Sequence, residues 1–394
     1  MVMLFCAVVI APAQERESGG STVGGVYDPR EDIINPAVSH WLYYGEVFAY
    51  APLWSAALGM TFNPVDTKWD AAIELLGWPG TFFSFLWATH KREITLGMVS
   101  ASSWGSIQGA GLGFAAGDVL YDWGQQSGTI NPRFATLLAA SIAGHILGFQ
   151  HADRKQLNWG NAEMLAQSGL LGATYGGLLT SMAVPWSGSG WSGNGTVPWA
   201  RKVVEVGAMG GWCAGVYYWN RYAPLDYTTG DAISSYDALG LSVLSGFAVS
   251  NLLPADWSLY GTNHTGQKVA AFTTGVVNAA GVAYGYYFHR NRDIGFGQSL
   301  LVTMGSVVGA VGLGGATELV TNSGKAGWLA AAVGGWAGFH LSHAMLGTAA
   351  GSQASLKRDD FLSRVQLMPG NAVALLVAAK THTSATIPLI AARF

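Results

Sequence analysis

Gly297-Gln-Ser-Leu-Leu-Val-Thr-Met-Gly305-Ser-Val-Val-Gly309-Ala-Val-Gly-Leu-Gly-Gly-Ala-Thr-Glu318 is the stretch on which the reading of this chain turns. The same pattern stands three more times upstream, opening on Gly97, Gly160 and Gly230. Eight residues on, each copy has a small residue: Gly105, Ser168, Ala238 and Gly305. Twelve on comes another: Gly109, Gly172, Ser242 and Gly309. Sixteen on, Gly113, Gly176 and Gly246 keep the pattern and Leu313 breaks it. Twenty-one on, every copy is polar: Asp118, Ser181, Asn251 and Glu318. A repeat of this kind defines an architecture before it defines a reaction.

Small residues four apart line one stripe of an α-helix. Glycine inside a helix costs roughly 1 kcal/mol against alanine, so a stripe kept four times has to be offset by packing. Close helix approach of the small-xxx-small kind supplies that return, above all inside membranes. The anchors lie 63, 70 and 67 residues apart, too far for one helix. Each interval holds a second helix with its own glycine pair, Gly144 and Gly148, Gly211 and Gly215, Gly281 and Gly285, and Gly334 with Gly338 follows the last copy. The expected unit is a hairpin of such a helix and the anchored helix after it, joined by a short basic junction: His90–Glu93, His151–Lys155, Asn220–Arg221, His289–Asp293. Thr228-Thr229-Gly230-Asp231 reads as an N-terminal cap. Hairpins that cannot bury their faces alone stack on their neighbours.

Charged residues make up 11% of the chain, against roughly 25% in ordinary soluble domains. A net charge of −3 with no extended basic patch excludes a nucleic-acid partner. Residues 1–13 form an apolar run ending in Ala11-Pro12-Ala13, the small-x-small signature of a signal peptide. Without that leader Cys213 is the sole cysteine, and its glycine-rich apolar surroundings predict a buried, inert thiol. Residues 14–70 read as an extended tether followed by an aromatic-rich segment, Trp41–Met60. The helix from Asp70 to Thr89 is expected to be short or broken at Pro79.

Lys268–Phe288, Gln298–Thr317 and Ala326–Gly351 are long enough and poor enough in charge to cross a bilayer. Glu163, Glu205 and Asp237, in or near other helices, are costly in such a setting. The basic junctions and the segment after the last helix carry Lys91, Arg92, Arg154, Lys155, Arg221, Arg290, Arg292, Lys357 and Arg358. The opposite loops carry only Arg133, Arg201, Lys202, Lys268 and Lys325. This bias puts the junctions on the cytoplasmic side. An outer-membrane β-barrel would alternate residue by residue, whereas the repeats show a period of four. Only the end, Thr383 to Phe394, alternates like a strand, so 351–394 is expected to hold a short β-hairpin or an interaction tail.

Chemistry is sparse. His340 and His343 stand at a spacing that suits a metal, with Glu318 as a third candidate ligand, but no flanking Glu or Cys completes a motif. His145, between paired glycines, reads as a hydrogen-bonded core histidine. Trp186, Trp191 and Trp199 on one loop suit anchoring at a membrane interface. No nucleophile elbow, phosphate loop or zinc-protease motif is present.

The expectation is therefore an all-α chain, an array of about four glycine-rich hairpins over residues 71–350, embedded in a membrane. Gly105, Gly109, Gly172, Gly176, Gly246, Gly305 and Gly309 are its expected helix-packing positions. The functional reading is a non-enzymatic structural or assembly component of a bacterial cell envelope, in the inner membrane rather than the periplasm or outer membrane. Its partners would be the lipid bilayer and itself or other envelope proteins, with no cofactor. The alternative is a transporter or channel whose path is lined by Asp118, Ser181, Asn251 and Glu318. A membrane enzyme using His340, His343 and Glu318 as metal ligands is the third.

Overall fold

The opening glycine of each repeat sits at the second position of a helix, and the residue two places earlier caps that helix in the first three copies. Thr95 accepts from the Met98 amide, Asn158 from the Asn161 amide and Thr228 from the Asp231 amide. At Thr228 the Asp231 carboxylate also accepts from the Thr228 amide, closing a capping box over the Thr-Thr-Gly-Asp sequence. The computed structural model describes residues 36–62, 67–121, 131–184, 198–222, 227–254, 264–289, 294, 296–351, 365–367 and 390–392. The expected signal peptide and most of the tryptophan loop lie outside them.

Ten α-helices stand among the described residues. Two precede the repeats: α1 (Pro36–Phe62) and α2 (Thr67–Thr89). The anchored helices are α3 (Leu96–Leu120), α5 (Trp159–Ala183), α7 (Thr229–Ser250) and α9 (Phe296–Thr321). Between and after them come α4 (Pro132–Lys155), α6 (Pro198–Tyr222), α8 (His264–His289) and α10 (Gly324–Gly351). The chain divides into two compact units, Met1–Phe339 and His340–Phe394. Within the second, three-residue strands β1 (Val365–Leu367) and β2 (Ile390–Ala392) pair antiparallel, Val365 opposite Ala392. The residues between them lie outside the described set, so the wider C-terminal hairpin is not described.

The N-terminal region departs from expectation. Residues 36–62 form one continuous helix rather than ending a tether at 40, and α2 runs unbroken through Pro79. A proline inside a helix costs about 3 kcal/mol in isolation. Here α2 lies along α1, with the Phe48 ring 5.1 Å from Trp78 and 5.8 Å from Phe82, and this packing holds it together.

The helix pairing is also different. Close approach occurs between each anchored helix and the helix that follows it, across the long loops, not across the short basic junctions. A β-carbon added at Gly105 would collide with the Gly144 carbonyl, and one at Gly109 with that of Ala140. Gly172 and Gly176 stand in the same way against Gly211 and Gly207, and Gly309 against Gly334. The Gly305 carbonyl faces Gly338, and Gly246 faces the carbonyl of Thr274. The basic junctions instead connect one pair to the next. There Arg92 reaches Asp153 at 3.5 Å, and His151 Nε2 meets Asn220 Oδ1 at 2.9 Å.

Neighbouring anchored helices also touch: α3 with α5, α5 with α7, and α7 with α9. This contact explains the opening glycine. Gly97 abuts the backbone of Leu157 and Asn158, at the entry to α5, and Gly160 abuts Tyr227 and Thr228, at the entry to α7. The caps hold the same step, since the Asn158 side-chain Nδ2 donates to the Tyr227 carbonyl at 2.9 Å and the Thr228 hydroxyl to that of Ile294 at 2.8 Å. At Gly297, which opens the last copy, an added β-carbon would meet nothing within 4 Å.

Three helical segments are long and apolar enough to cross a membrane: Pro132–Lys155, Thr229–Ser250 and Gly297–Thr321. Of the three stretches singled out by their lack of charge, only Gln298–Thr317 falls within this set. In α8 and α10 the glycine, alanine, serine and threonine content dilutes the hydropathy despite the missing charges.

Candidate functional site

Polar side chains gather where one anchored helix meets the next. Between α3 and α5, the Glu163 carboxylate accepts from Ser100 at 2.7 Å, from the Trp104 indole at 2.8 Å and from the Trp159 indole at 3.0 Å. Between α5 and α7, Ser235 donates to Gln167 at 2.8 Å. Between α7 and α9, Ser306 donates to Asp237 at 2.6 Å. A carboxylate taken out of water needs donors of this kind, because an unsatisfied buried charge costs several kcal/mol. All these groups lie in the N-terminal halves of their helices and together form a buried polar layer along the row.

A second cluster closes the layer at its first end. Glu46 of α1 lies against His145 of α4, Oε1 to Nδ1 at 3.5 Å, and the Ser102 hydroxyl of α3 reaches both carboxylate oxygens at 3.3 and 3.4 Å. His145 is fully buried, and its Nε2 stands 3.2 Å from the Tyr43 hydroxyl. It is the hydrogen-bonded core histidine expected from its place between two glycines. Next to it the Trp54 indole donates to Ser141 at 2.9 Å, and the Ser141 and Ser106 hydroxyls are 2.9 Å apart.

At the opposite helix ends, cations close the anchored helices. Asp118, near the end of α3, is held by Arg133 at 3.0 Å and Arg201 at 2.5 Å, and Arg201 also reaches Glu205 at 3.6 Å. Lys268 donates to the carbonyls of Met182 and Val184 at the end of α5, at 3.2 and 2.6 Å. Lys325 donates to the Leu253 carbonyl beyond α7, at 3.3 Å. A positive charge is favoured there by the helix dipole and the unpaired terminal carbonyls.

The four residues read as a path from their common place in the repeat have separate environments. Asp118 belongs to the arginine cluster. The Ser181 hydroxyl donates to the Leu178 carbonyl of its own helix, at 2.7 Å, and the Asn251 amide to the Phe247 carbonyl, at 3.0 Å. Glu318 is exposed. Among the described residues no group of three or more His, Cys, Asp or Glu side chains stands close enough to hold a metal ion. Cys213 is exposed rather than buried. Gly211 and Gly215 turn one face of α6 to α5, and Cys213, two residues from each, falls on the other face.

Glu163 and Asp237 stood out in the sequence as charges on apolar helices, but their serine and tryptophan partners did not. Ser100 and Glu163 share one place in consecutive copies, three residues after the opening glycine, and Trp104, Gln167 and Asp237 share another, seven after it. Comparing those columns is the signal that exposes the layer. Comparisons with protein-family models, with curated proteins and with solved structures give no match to this chain.

Proposed function

We propose that this chain is a non-enzymatic membrane protein of a bacterial cell envelope, a structural or assembly component built as a glycine-seamed array of helical hairpins. The observation that carries the reading is an inversion of the usual distribution of side chains. Serine, asparagine and glutamine are buried between the helices, while large apolar residues lie open on them: Leu319 is 80% exposed, Val320 86%, Trp41 77% and Trp87 77%. Water disfavours such a surface, whereas lipid chains accept it. Inside a bilayer the attraction between helices comes from close packing and interhelical hydrogen bonds, and this chain has examples of both: Gly105 lies against the Gly144 carbonyl, and Ser100 and Trp104 of α3 donate to Glu163 of α5.

The charges agree with this reading. On the loop side Arg133, Arg201, Lys268 and Lys325 are tied to carboxylates or helix-end carbonyls. Each buried carboxylate of the polar layer is engaged by donors from a neighbouring helix, which suits adhesion between repeats better than passage of a solute.

The test is expression followed by alkaline carbonate washing of the membrane fraction, then reconstitution into liposomes. The chain is expected to stay with the membranes and to pass no more ions than empty vesicles do. Release by carbonate would overturn the membrane reading. Ion flux abolished by Asp118→Ala and Glu318→Ala would replace the structural reading by the channel.

A further inference from the structure

The Glu46–His145 contact differs from the rest of the polar layer in its supply of donors. Glu163 has three donors within 3.0 Å, whereas Glu46 has one serine hydroxyl shared between its two oxygens at 3.3 and 3.4 Å. The His145 Nδ1 has no hydrogen-bond partner among the described residues and is directed at Glu46 from 3.5 Å, longer than the ~2.7–2.9 Å of a charge-assisted bond. Around the pair stand aromatic rings: Phe85 at 4.9 Å from the imidazole, Trp54 at 5.4 Å and Tyr43 at 5.7 Å.

The groups turned toward the pair can be taken helix by helix. From α1 come Tyr43, Tyr50 and Trp54, from α2 Phe85 and from α3 Ser102; behind these stand Ser106 of α3 and Ser141 and Phe149 of α4, which touch Trp54, Tyr43 or each other. No lysine, arginine or second carboxylate is among them. A net charge in such a site has no counterion. With two protons the pair is a buried cation, with none a buried anion, and only with one is it neutral overall.

We propose that Glu46 and His145 form a buried proton-binding site, which holds a single proton and in that state fastens α1 to the α3–α4 pair. The proton lies between Glu46 Oε1 and His145 Nδ1, and the Tyr43 hydroxyl satisfies the far ring nitrogen. Loss of the proton leaves an uncompensated carboxylate among aromatic rings, and α1 separates to let water reach it. This inference does not rest on the membrane reading, because it uses only contacts inside the helix cluster.

The sign of the pH dependence follows from proton counts. Once water has reached the opened pair, a glutamate and a histidine with ordinary values release their protons near pH ~4.3 and ~6.5. Above pH ~6.5 the closed state holds one proton more than the open state, so closure weakens as pH rises, by roughly tenfold per unit. Below pH ~4.3 the open state takes up two protons, and closure weakens again.

The experiment is hydrogen exchange of the full-length purified chain, following the α1 amides of residues 36–62 against those of α5, corrected for the intrinsic effect of pH. Between pH 7.5 and 9 the protection of α1 is expected to fall by roughly tenfold per pH unit relative to α5. In Glu46→Gln, which cannot exchange a proton, that slope should vanish. In Tyr43→Phe, which removes a hydrogen bond but no proton, it should persist. A flat profile in the unmodified protein, readable even where Glu46→Gln does not fold, overturns the proposal. So does an equal slope in the unmodified protein and Glu46→Gln.

Discussion

Between α3 and α4 the glycines of one helix face bare backbone of the other, Gly105 against Gly144 and Gly148 against Ala101, with no side chain in between. Between α7 and α8 the same places in the repeat hold Ala238 and Ser242, so Gly281 and Gly285 of α8 meet β-carbons instead. There Asn278 of α8 donates to Ser242 at 2.7 Å and accepts from Tyr175 of α5 at 2.6 Å. In the first seam backbone proximity dominates, with the Ser106–Ser141 hydrogen bond beside it, and in the second a buried hydrogen-bonded bridge takes its place. The repeat therefore keeps small residues at the same places and leaves the chemistry of each seam free to vary.

The largest expected effect comes from breaking the backbone seam. Gly144→Leu places a branched side chain against the Gly105 carbonyl, where neither helix has a flexible group that can yield. It should cost about 3 kcal/mol or more, at the upper end of overpacking effects. Thermal unfolding in detergent measures this, and the same change at Gly285 should cost less. The bridged seam responds to loss of its polar group instead. Asn278→Leu leaves Tyr175 and Ser242 without their partner and should destabilise by about 1–3 kcal/mol. Ser242→Ala removes one bond of the bridge and should cost about 1 kcal/mol. The smallest effect has the opposite sign. Gly210 lies inside α6 with nothing within 4 Å of an added β-carbon, so Gly210→Ala should stabilise by about 1 kcal/mol. A loss there as large as at Gly144 would mean that glycine serves chain flexibility rather than packing.

The contrast also shows how much of the molecule was legible from its residues. The four opening glycines and the stripe behind them located the anchored helices, and the Thr228 cap marked one helix start closely. Their partners were misassigned, because a short junction suggests adjacent helices. The deciding feature was the second glycine pair in each following helix, since Gly144 and Gly148 match Gly105 and Ala101 in spacing. The reason for the opening glycine was also hidden. It depends on the entry to the next repeat, some 60 residues away, as Gly97 on Leu157 shows. Glu46 and His145 could not be paired from sequence, because α1 lies outside the repeat and obeys no column of it. Cys213 shows the opposite error, in which apolar neighbours in the chain were taken for neighbours in space.

If the array crosses a bilayer, the long loops and the basic junctions lie on opposite sides of it. The most direct measurement is labelling with a membrane-impermeant thiol reagent on intact spheroplasts. It uses single cysteines at Gly188→Cys in the tryptophan loop and at Asn291→Cys in a basic junction, with Cys6 and the exposed Cys213 replaced by serine. The account predicts that position 188 reacts from outside at once, and that position 291 reacts only after the membrane is permeabilised. Equal labelling of both from outside would contradict it.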